Sequence, residues 1–243
     1  MGSAALLRPP RGGFIRLYHF TTADYAIQAI SLRRLKVARF SDLNDPFELE
    51  AVNFREARTR RIVRAFKDQY GERTGLLSFS ADWTNPLLWS HYSAKHQGIC
   101  LGFNVMESEV EHVRYEDVRI RDAFRDGDPG SLSEDLQQQL LCTKYSGWSY
   151  EDEWRRFIPL DDTTKQGRFQ FFGFDATIEL AEVILGTQCS ADVLQVAELA
   201  TKLHPTVDAV LRGRLMHKDF KIVPDEFNPA WFAPEYRSAL VPN

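Results

Sequence analysis

The feature that most restricts the fold of this chain is an acidic group placed directly before a strand-like segment. Residues 150–158 read Tyr-Glu-Asp-Glu-Trp-Arg-Arg-Phe-Ile, so three carboxylates precede aromatic and β-branched side chains that favour a strand. Because side chains alternate in an extended chain, we expect Glu151 and Glu153 on one face and Asp152 and Trp154 on the other. The acidic group is therefore expected at the edge of a core.

Two interpretations of this segment are open. Two glutamates on one face are suited to binding hydroxyls and stabilising positive charge. Alternatively, the glutamates form ion pairs with Arg155, Arg156 or a neighbouring lysine, because runs of charged residues are usually solvated and have no catalytic role. Two carboxylates could also serve a glycosidase, because the sequence does not give their separation in space.

Composition narrows the class of protein. The 243 residues include 44% hydrophobic residues, enough to bury a sizeable core, and the 30 basic and 34 acidic residues leave a net charge of −4. Such a charge gives no whole-surface attraction for nucleic acid or lipid, although a local basic patch is compatible with it. No apolar run approaches the roughly 20 residues needed to span a bilayer, and no signal-peptide core is present. We therefore expect a soluble, cytoplasmic protein without a membrane partner.

The first half of the chain offers several polar groups at element ends. Residues 14–20 form a predicted strand that places His19 at its end, and residues 21–24, beginning with Thr21, supply helix caps. A strand end facing a helix start often binds ligands. His19 could equally be a core histidine that donates to a backbone carbonyl.

A sharp turn at residues 44–48, beginning with Asn44, carries a capping box and predicts a helix that runs to about Tyr70. The outer face of that helix is basic. Its arginines are Arg55, Arg58, Arg60, Arg61 and Arg64. This face is either solvated or a contact surface for a polyanion.

The middle of the chain combines a buried strand with an aromatic helix. Residues 75–80, which include Ser78 and Phe79, form a strand ending in a hydroxyl, and residues 85–98 form a predicted helix. Trp89, Tyr92 and His96 share one face of that helix, and such a stripe is more often core than cofactor site.

The rest of the chain completes an α+β pattern. Residues 119–133 predict a mobile loop, and Ser133 caps an amphipathic helix; further strands are predicted at residues 169–172, 182–186 and 220–223, with a helix over residues 191–203. We predict a flexible lead over residues 1–13 and one compact α+β domain over residues 14–243.

Several chemistries are disfavoured by the sequence. It contains no phosphate loop, no dinucleotide fingerprint and no Gly-x-Ser-x-Gly elbow. Cys100, Cys142 and Cys189 lie too far apart for a disulfide framework or a metal-ligand spacing. His91 and His96 are five positions apart, without an acidic motif, so no metal site is predicted. A strand-end histidine, a hydroxyl-bearing strand and a strand-start glutamate remain.

The motifs that carry a family resemblance occupy residues 17–21, 44–48, 89–92, 98–103, 148–155 and 182–186. In this order they resemble the bacterial domain-of-unknown-function family 2971 over roughly residues 15–223, which implies no activity. The order of histidine, polar or aromatic strand and glutamate is more distantly similar to ADP-ribosyltransferases of the DNA-modifying toxin type. That resemblance implies a split, mostly antiparallel sheet flanked by helices, with NAD as the substrate.

The resemblance also implies roles for particular residues. Glu153 matches the catalytic glutamate, Glu151 the first glutamate of a Glu-x-Glu pair, and His19 the histidine that holds the NAD ribose. Thr21 and Asn44 would add polar contacts, the region from Ser78 to Tyr92 matches the middle motif, and the nicotinamide would stack on Phe79, Trp89 or Tyr92. Arg155 and Arg39 would contact the pyrophosphate, unless they form surface ion pairs.

The functional prediction is an NAD-dependent ADP-ribosyltransferase or NAD glycohydrolase, of the kind used as a toxin or phage-defence effector with an antitoxin or defence-system partner. The acceptor of ADP-ribose, protein or nucleic acid, stays open. The alternatives are a nuclease or other nucleic-acid effector that uses the basic helix, and a non-catalytic nucleotide sensor or immunity module.

Overall fold

The computed structural model describes residues 9–43, 45, 47–51, 57–120, 132–228 and 230–234. The chain divides into two compact units. The first is built from Met1–Leu35, Phe79–Glu109 and Gly173–Asn243, and the second from Lys36–Ser78 and Val110–Phe172.

The first unit is built around an antiparallel group of long strands. Its elements are β1 (Phe14–Thr21), α1 (Ala23–Leu32), the start of β2 (Arg34–Val37), the end of β3 (Thr74–Ser80), α3 (Pro86–Tyr92), β4 (Ile99–Met106), β11 (Ile178–Leu185), α5 (Val193–Leu203), β12 (Ala209–Leu215), β13 (Ile222–Pro224) and β14 (Trp231–Phe232). The strands follow the order β13-β12-β11-β4-β1, and β14 also pairs with β12. Strand β1 pairs antiparallel with β4 along its whole length, whereas β11 and β12 are parallel.

The elements of the first unit follow from local sequence. Every residue of β4 except Met106 is buried, as expected for an apolar central strand. Helix α5 is amphipathic, with its buried residues three or four positions apart, and Asp192 caps it by accepting hydrogen bonds from the backbone N–H groups of Leu194 and Gln195.

A buried charged network joins several strands of this unit. Arg16 on β1 forms an ion pair with Glu182 on β11, and its Nε donates to Asn104 on β4 at 2.9 Å. Glu182 also accepts a hydrogen bond of 3.0 Å from the hydroxyl of Tyr18, and Asp208 lies 3.5 Å from Arg16. Because these groups are buried, each depends on its partners to offset the cost of desolvation.

A left-handed turn follows α3 in the first unit. Ala94, Lys95 and His96 have φ values of 46°, 56° and 69°, a conformation that L-residues seldom adopt in succession. The backbone N–H of His96 donates to Trp89, and its carbonyl accepts from Gln188. These bonds help to hold the turn in this conformation.

The second unit contains shorter elements. They are the end of β2, α2 (Ala57–Arg73), the start of β3, β5 (Glu111–His112), β6 (Arg114–Glu116), α4 (Glu134–Leu141), β7 (Thr143–Tyr145), β8 (Glu153–Pro159), β9 (Thr164–Gln166) and β10 (Phe169–Gly173). Short 3-10 turns cover Phe40–Asp42, Ser146–Glu151 and Leu160–Asp162 here, and Glu107–Glu109 in the first unit. Strand β8 lies between β3 and β5, and β6 pairs parallel with β7.

Two predicted helices have different bounds from those expected. The structure describes helix α2 over Ala57–Arg73, and residues 47–49, which were predicted within this helix, form a turn in which Leu49 is left-handed. Helix α3 ends at Tyr92, six residues before Gly98, at the left-handed turn. Arg55, which was predicted on the basic face of the helix, lies outside the described residues. Most of the predicted loop over residues 119–133 and most of the lead over residues 1–13 also lie outside them.

The predicted class is confirmed at the level of an α+β chain with a mixed, mostly antiparallel sheet. The strands predicted at residues 14–20, 75–80 and 169–172 are present. The last strand begins at Ile222, so Phe220, predicted within it, lies outside it and is 98% exposed. Among the described residues, none of the helices combines the length and the apolar composition needed to cross a bilayer.

We predict that Gly186→Ala destabilises the protein. A Cβ atom at Gly186 would lie 2.2 Å from the carbonyl oxygen of His96, a backbone atom in the left-handed turn that has little room to move. Overpacking of this kind costs about 1–3 kcal/mol, so the melting temperature should fall by several degrees. Gly12→Ala is the control, because a Cβ there meets nothing within 4 Å. Equal melting temperatures for the two variants, measured by calorimetry, would contradict the prediction.

Candidate functional site

The two glutamates of the acidic segment meet at one lysine in the second unit. The Nζ atom of Lys144 lies 2.5 Å from Glu151 and 3.2 Å from Glu153. The route differs from the extended chain predicted, because Glu151 ends a 3-10 turn and Asp152 is left-handed, with φ 42°, before β8 begins at Glu153. The prediction that both glutamates lie on one side is confirmed by their shared partner.

The other two side chains of the segment also share a partner. The Oδ1 atom of Asp152 lies 2.7 Å from Nε2 of His112 on β5. The ring of Trp154 packs against the same imidazole, with 4.7 Å between the ring centroids. The predicted pairing of side chains is therefore present although residues 151–152 are not extended, with Asp152 and Trp154 at His112 and the two glutamates at Lys144.

The carboxylate of Glu153 accepts four hydrogen bonds. Its Oε1 accepts from Ser78 Oγ at 2.8 Å and from Arg155 Nε at 3.0 Å, and its Oε2 accepts from Arg155 Nη2 at 3.0 Å and from Lys144 at 3.2 Å. The residue is only 5% exposed. The alternative interpretation, in which the glutamates pair with Arg155 and a nearby lysine, is thus what the structure shows.

Arg155 connects Glu153 to a second carboxylate. Its guanidinium donates to Glu48 at 2.6 and 3.1 Å and to the carbonyl of Leu141 at 2.7 Å. With 1% exposure, Arg155 is enclosed by these partners and is not placed to contact a pyrophosphate, nor is its pairing a surface one. Arg39, the other predicted pyrophosphate contact, is half-buried and donates to the Gly71 carbonyl at 2.6 Å.

These five residues form what we call the buried ion cluster: Glu48, Lys144, Glu151, Glu153 and Arg155. Three carboxylates and two cations leave it with one unbalanced negative charge. Burial alone would raise the pKa of Glu153, but the charges of Arg155 and Lys144 and the hydrogen bonds from Arg155 and Ser78 outweigh burial and lower that pKa to about 2. The pKa of Lys144 is raised, because Glu153 and Glu151 outweigh its desolvation. Glu153 and Lys144 are therefore both charged at neutral pH.

The backbone at Glu153 is fixed by a neighbouring strand. Its N–H donates to the hydroxyl of Tyr115 on β6 at 2.8 Å, and burial raises the pKa of that phenol. Tyr115 and Lys144 are register partners on β6 and β7, so this small parallel pair supplies both contacts. The sequence predicted no site role for Tyr115, and it predicted Glu48 only as part of the capping box. A tyrosine alternating with charged residues on a short strand was the only available signal.

A cavity of about 330 Å³ adjoins the buried ion cluster through Lys144. Its lining consists of Phe47, Glu50, Ala51 and residues 116–119 and 143–145. Lys144 thus contributes both to the wall of this cavity and to the contacts of Glu153. The size is within the range of small-molecule sites.

The predicted site residues of the first unit have separate environments. His19 is half-buried on β1, and the centroid of its ring lies 5.9 Å from that of Phe79, a residue that is 3% exposed. The backbone carbonyl of Thr21 accepts a hydrogen bond of 3.3 Å from Ser93 Oγ. Trp89 is fully buried and its indole N–H donates to the Trp83 carbonyl, so it belongs to the core and does not offer a stacking face.

Of the three aromatics predicted to stack on nicotinamide, Tyr92 is the one that is not buried. The interpretation of the helix stripe as core is confirmed for Trp89, whose ring also stacks on His96 at 6.4 Å. Asn44 lies outside the described residues. The predicted roles of His19, Thr21 and Tyr92 in binding NAD stay predictions.

Comparison of the chain with protein-family models, with curated proteins and with solved structures found no match. The described residues contain no group of three or more histidine, cysteine, aspartate or glutamate side chains arranged to hold a metal ion. The buried ion cluster and its cavity therefore carry the functional proposal.

We predict that the cluster makes the protein sensitive to strong acid. The folded pKa of Glu153, about 2, lies below its ordinary value of 4.5, so its contribution to stability is complete above pH 4.5 and is lost as the pH falls towards 2. Glu153→Gln should be less stable than wild type at pH 7, and the free energies of unfolding should converge as the pH falls. A constant difference between pH 6 and pH 2.5, measured by urea denaturation, would contradict this.

Proposed function

We propose that the protein is an NAD-dependent ADP-ribosyltransferase or NAD glycohydrolase, in an ADP-ribosyltransferase-like fold, with Glu153 as the catalytic carboxylate. The contact that carries the proposal is the 2.8 Å hydrogen bond from Ser78 to Glu153. The two residues are 75 positions apart, and each belongs to a motif that the family resemblance assigns to NAD binding or catalysis. A hydroxyl on the middle strand and a glutamate at a later strand start are thus in contact.

The charge of the buried ion cluster suits this chemistry. Cleavage of the nicotinamide glycosidic bond develops positive charge on the ribose. An ionised carboxylate in a water-poor setting stabilises that charge more in the transition state than in the ground state. Glu153 meets this requirement because its pKa of about 2 keeps it ionised.

A substrate hydroxyl must replace one of the four donors on Glu153. The contact with Lys144 is the longest of the four, at 3.2 Å, and Lys144 retains Glu151 as a partner at 2.5 Å when it leaves. We therefore assign Lys144 as the donor that the ribose 2′-hydroxyl displaces. Glu151 then acts by holding the ammonium group aside.

Arg155 is a positioning residue in this scheme. Its two nitrogens bind both oxygens of Glu153, which fixes the plane of the carboxylate, and Glu48 in turn fixes the guanidinium. The proposal rests on residues of the second unit alone. The acceptor, whether protein, nucleic acid or water, is not specified by these contacts. NAD consumption would suit a toxin or phage-defence effector with an antitoxin or other defence-system partner.

We predict that purified protein releases nicotinamide from NAD and that Glu153→Gln lowers the rate at least about 100-fold, because one charged group aimed at the transition state has such an effect. Loss of one partner from a buried pair costs about 3–5 kcal/mol, so folding must be checked by circular dichroism at the assay temperature. Glu48→Gln is the matched control. It also breaks a buried pair with Arg155 but removes none of the four donors of Glu153.

Both variants should be destabilised, whereas Glu48→Gln should retain far more activity than Glu153→Gln. Equal loss in the two folded variants would show that the cluster has a structural role only. No nicotinamide release by wild type, with or without cell lysate as a source of acceptor, would refute the proposal.

A further prediction concerns Glu151→Gln. Without the charge of Glu151, Lys144 should bind Glu153 more tightly and compete with the substrate hydroxyl, so kcat should fall about tenfold. The measurement is steady-state nicotinamide release over a range of NAD concentrations. An unchanged kcat would argue against the displacement of Lys144.

A further inference from the structure

Helix α2 presents a dense basic face to solvent. Arg58, Arg60, Arg61 and Arg64 lie within its first eight residues, and all four are exposed. No acidic residue occurs in residues 57–65, whereas residues 66–73 carry two basic and two acidic side chains. The positive charge is thus concentrated at one end of the helix.

This arrangement works against the stability of the helix. Arg58 and Arg61, Arg61 and Arg64, and Arg60 and Arg64 are spaced three or four positions apart, so like charges are neighbours on the surface. Cations near a helix N-terminus also oppose the helix dipole, and the first turn of the described helix, which starts at Ala57, contains no acid. Within the described chain, neither Arg58 nor Arg61 nor Arg64 forms an ion pair. The charges therefore lower local stability without a compensating contact among these residues.

We propose that the arginine face of α2 binds the phosphate backbone of a nucleic acid. All four side chains are arginine, whose planar guanidinium donates two parallel hydrogen bonds to a phosphate. A helix rises about 1.5 Å per residue, so Arg58 and Arg64 lie about 9 Å apart along its axis and can contact different phosphates of one strand. Contacts of this type fix position and carry no sequence information.

A lipid surface fits the same helix less well. Membrane-bound helices insert an apolar face, but the apolar face of α2 is occupied: Val63 belongs to a buried cluster with Leu136 and Leu140, and Tyr70 packs against Phe40 and Phe157. The exposed non-arginine positions of the basic half are Ala57 and Ala65. Because the whole chain has a net charge of −4, attraction for a polyanion is confined to local faces such as this one.

The test is fluorescence anisotropy with a labelled 20-nucleotide single-stranded RNA and a 20-base-pair DNA duplex of arbitrary sequence. Wild type should bind at 50 mM salt, and binding should weaken steeply as salt rises. Replacement of Arg58, Arg61 and Arg64 by glutamine should weaken binding at least about 30-fold and reduce the slope of log K against log salt by about 2–3, since each phosphate contact contributes about 0.7–0.9. Arg60 is left unchanged because it makes another interaction.

Arg73→Gln is the matched control, because Arg73 is an exposed arginine at the other end of the same helix. It should alter affinity less than about threefold. The triple variant should melt at the wild-type temperature or above it, because removal of the three charges relieves repulsion within the helix. A weaker affinity in a variant with a lower melting temperature and lost circular dichroism would count against a specific contact.

The inference is overturned if wild type fails to bind either nucleic acid at 50 mM salt, or if the triple variant binds with the wild-type affinity and slope. Binding to vesicles that contain anionic lipid, without binding to nucleic acid, would also overturn it. The proposal does not depend on NAD chemistry. Nicotinamide release in the absence of nucleic acid should be the same for wild type and the triple variant, so the two proposals can fail separately.

Discussion

The second unit depends on the contacts that the guanidinium group of Arg155 makes. It is enclosed between Glu48, which lies 107 positions away in sequence, and Glu153, and it also binds a backbone carbonyl at the end of α4. A buried ion pair adds little net stability compared with a well-packed apolar core, because desolvation offsets the attraction. A buried ion pair nevertheless restricts the structure, because each buried charge must have its partners in position. The cluster therefore specifies how several short elements are placed around the start of β8.

The same cluster explains why its central carboxylate has two consistent interpretations. Four donors and a pKa of about 2 are what a purely structural glutamate would have. They are also what a carboxylate needs in order to stay ionised while almost fully buried, which catalysis at a sugar cation requires. The distinction lies in whether one donor can leave. Lys144 contacts a second carboxylate, that of Glu151, and lines the cavity. It is therefore the donor for which the structure offers an alternative partner.

The sequence allowed the classes of element and the convergence of the two glutamates to be predicted, because apolar runs and strand alternation are local properties. Local pattern did not show the left-handed residue Asp152, which replaces the expected extended chain, or the turn at residues 47–49, where the first turn of α2 was expected. Both depend on side-chain partners that local pattern does not give: Glu48 is turned towards Arg155, 107 positions away, and Glu151 towards Lys144 on β7. The full burial of Trp89 followed from helical spacing, whereas the role of Tyr115 depends on the pairing of β6 and β7, which three-residue strands do not reveal.

The left-handed turn at residues 94–96 has a consequence for tracing this protein among distant sequences. The left-handed conformation is tolerated best by glycine, asparagine and aspartate, so substitutions at these positions in related sequences should favour those three residues. Gly98 and Gly186 have no such freedom, because a side chain at either would meet backbone oxygen at 2.1 or 2.2 Å. A short variable stretch rich in turn-forming residues at 94–96, followed by a fixed glycine at 98 and a second fixed glycine at 186, is a signature of the first unit that is independent of any catalytic residue.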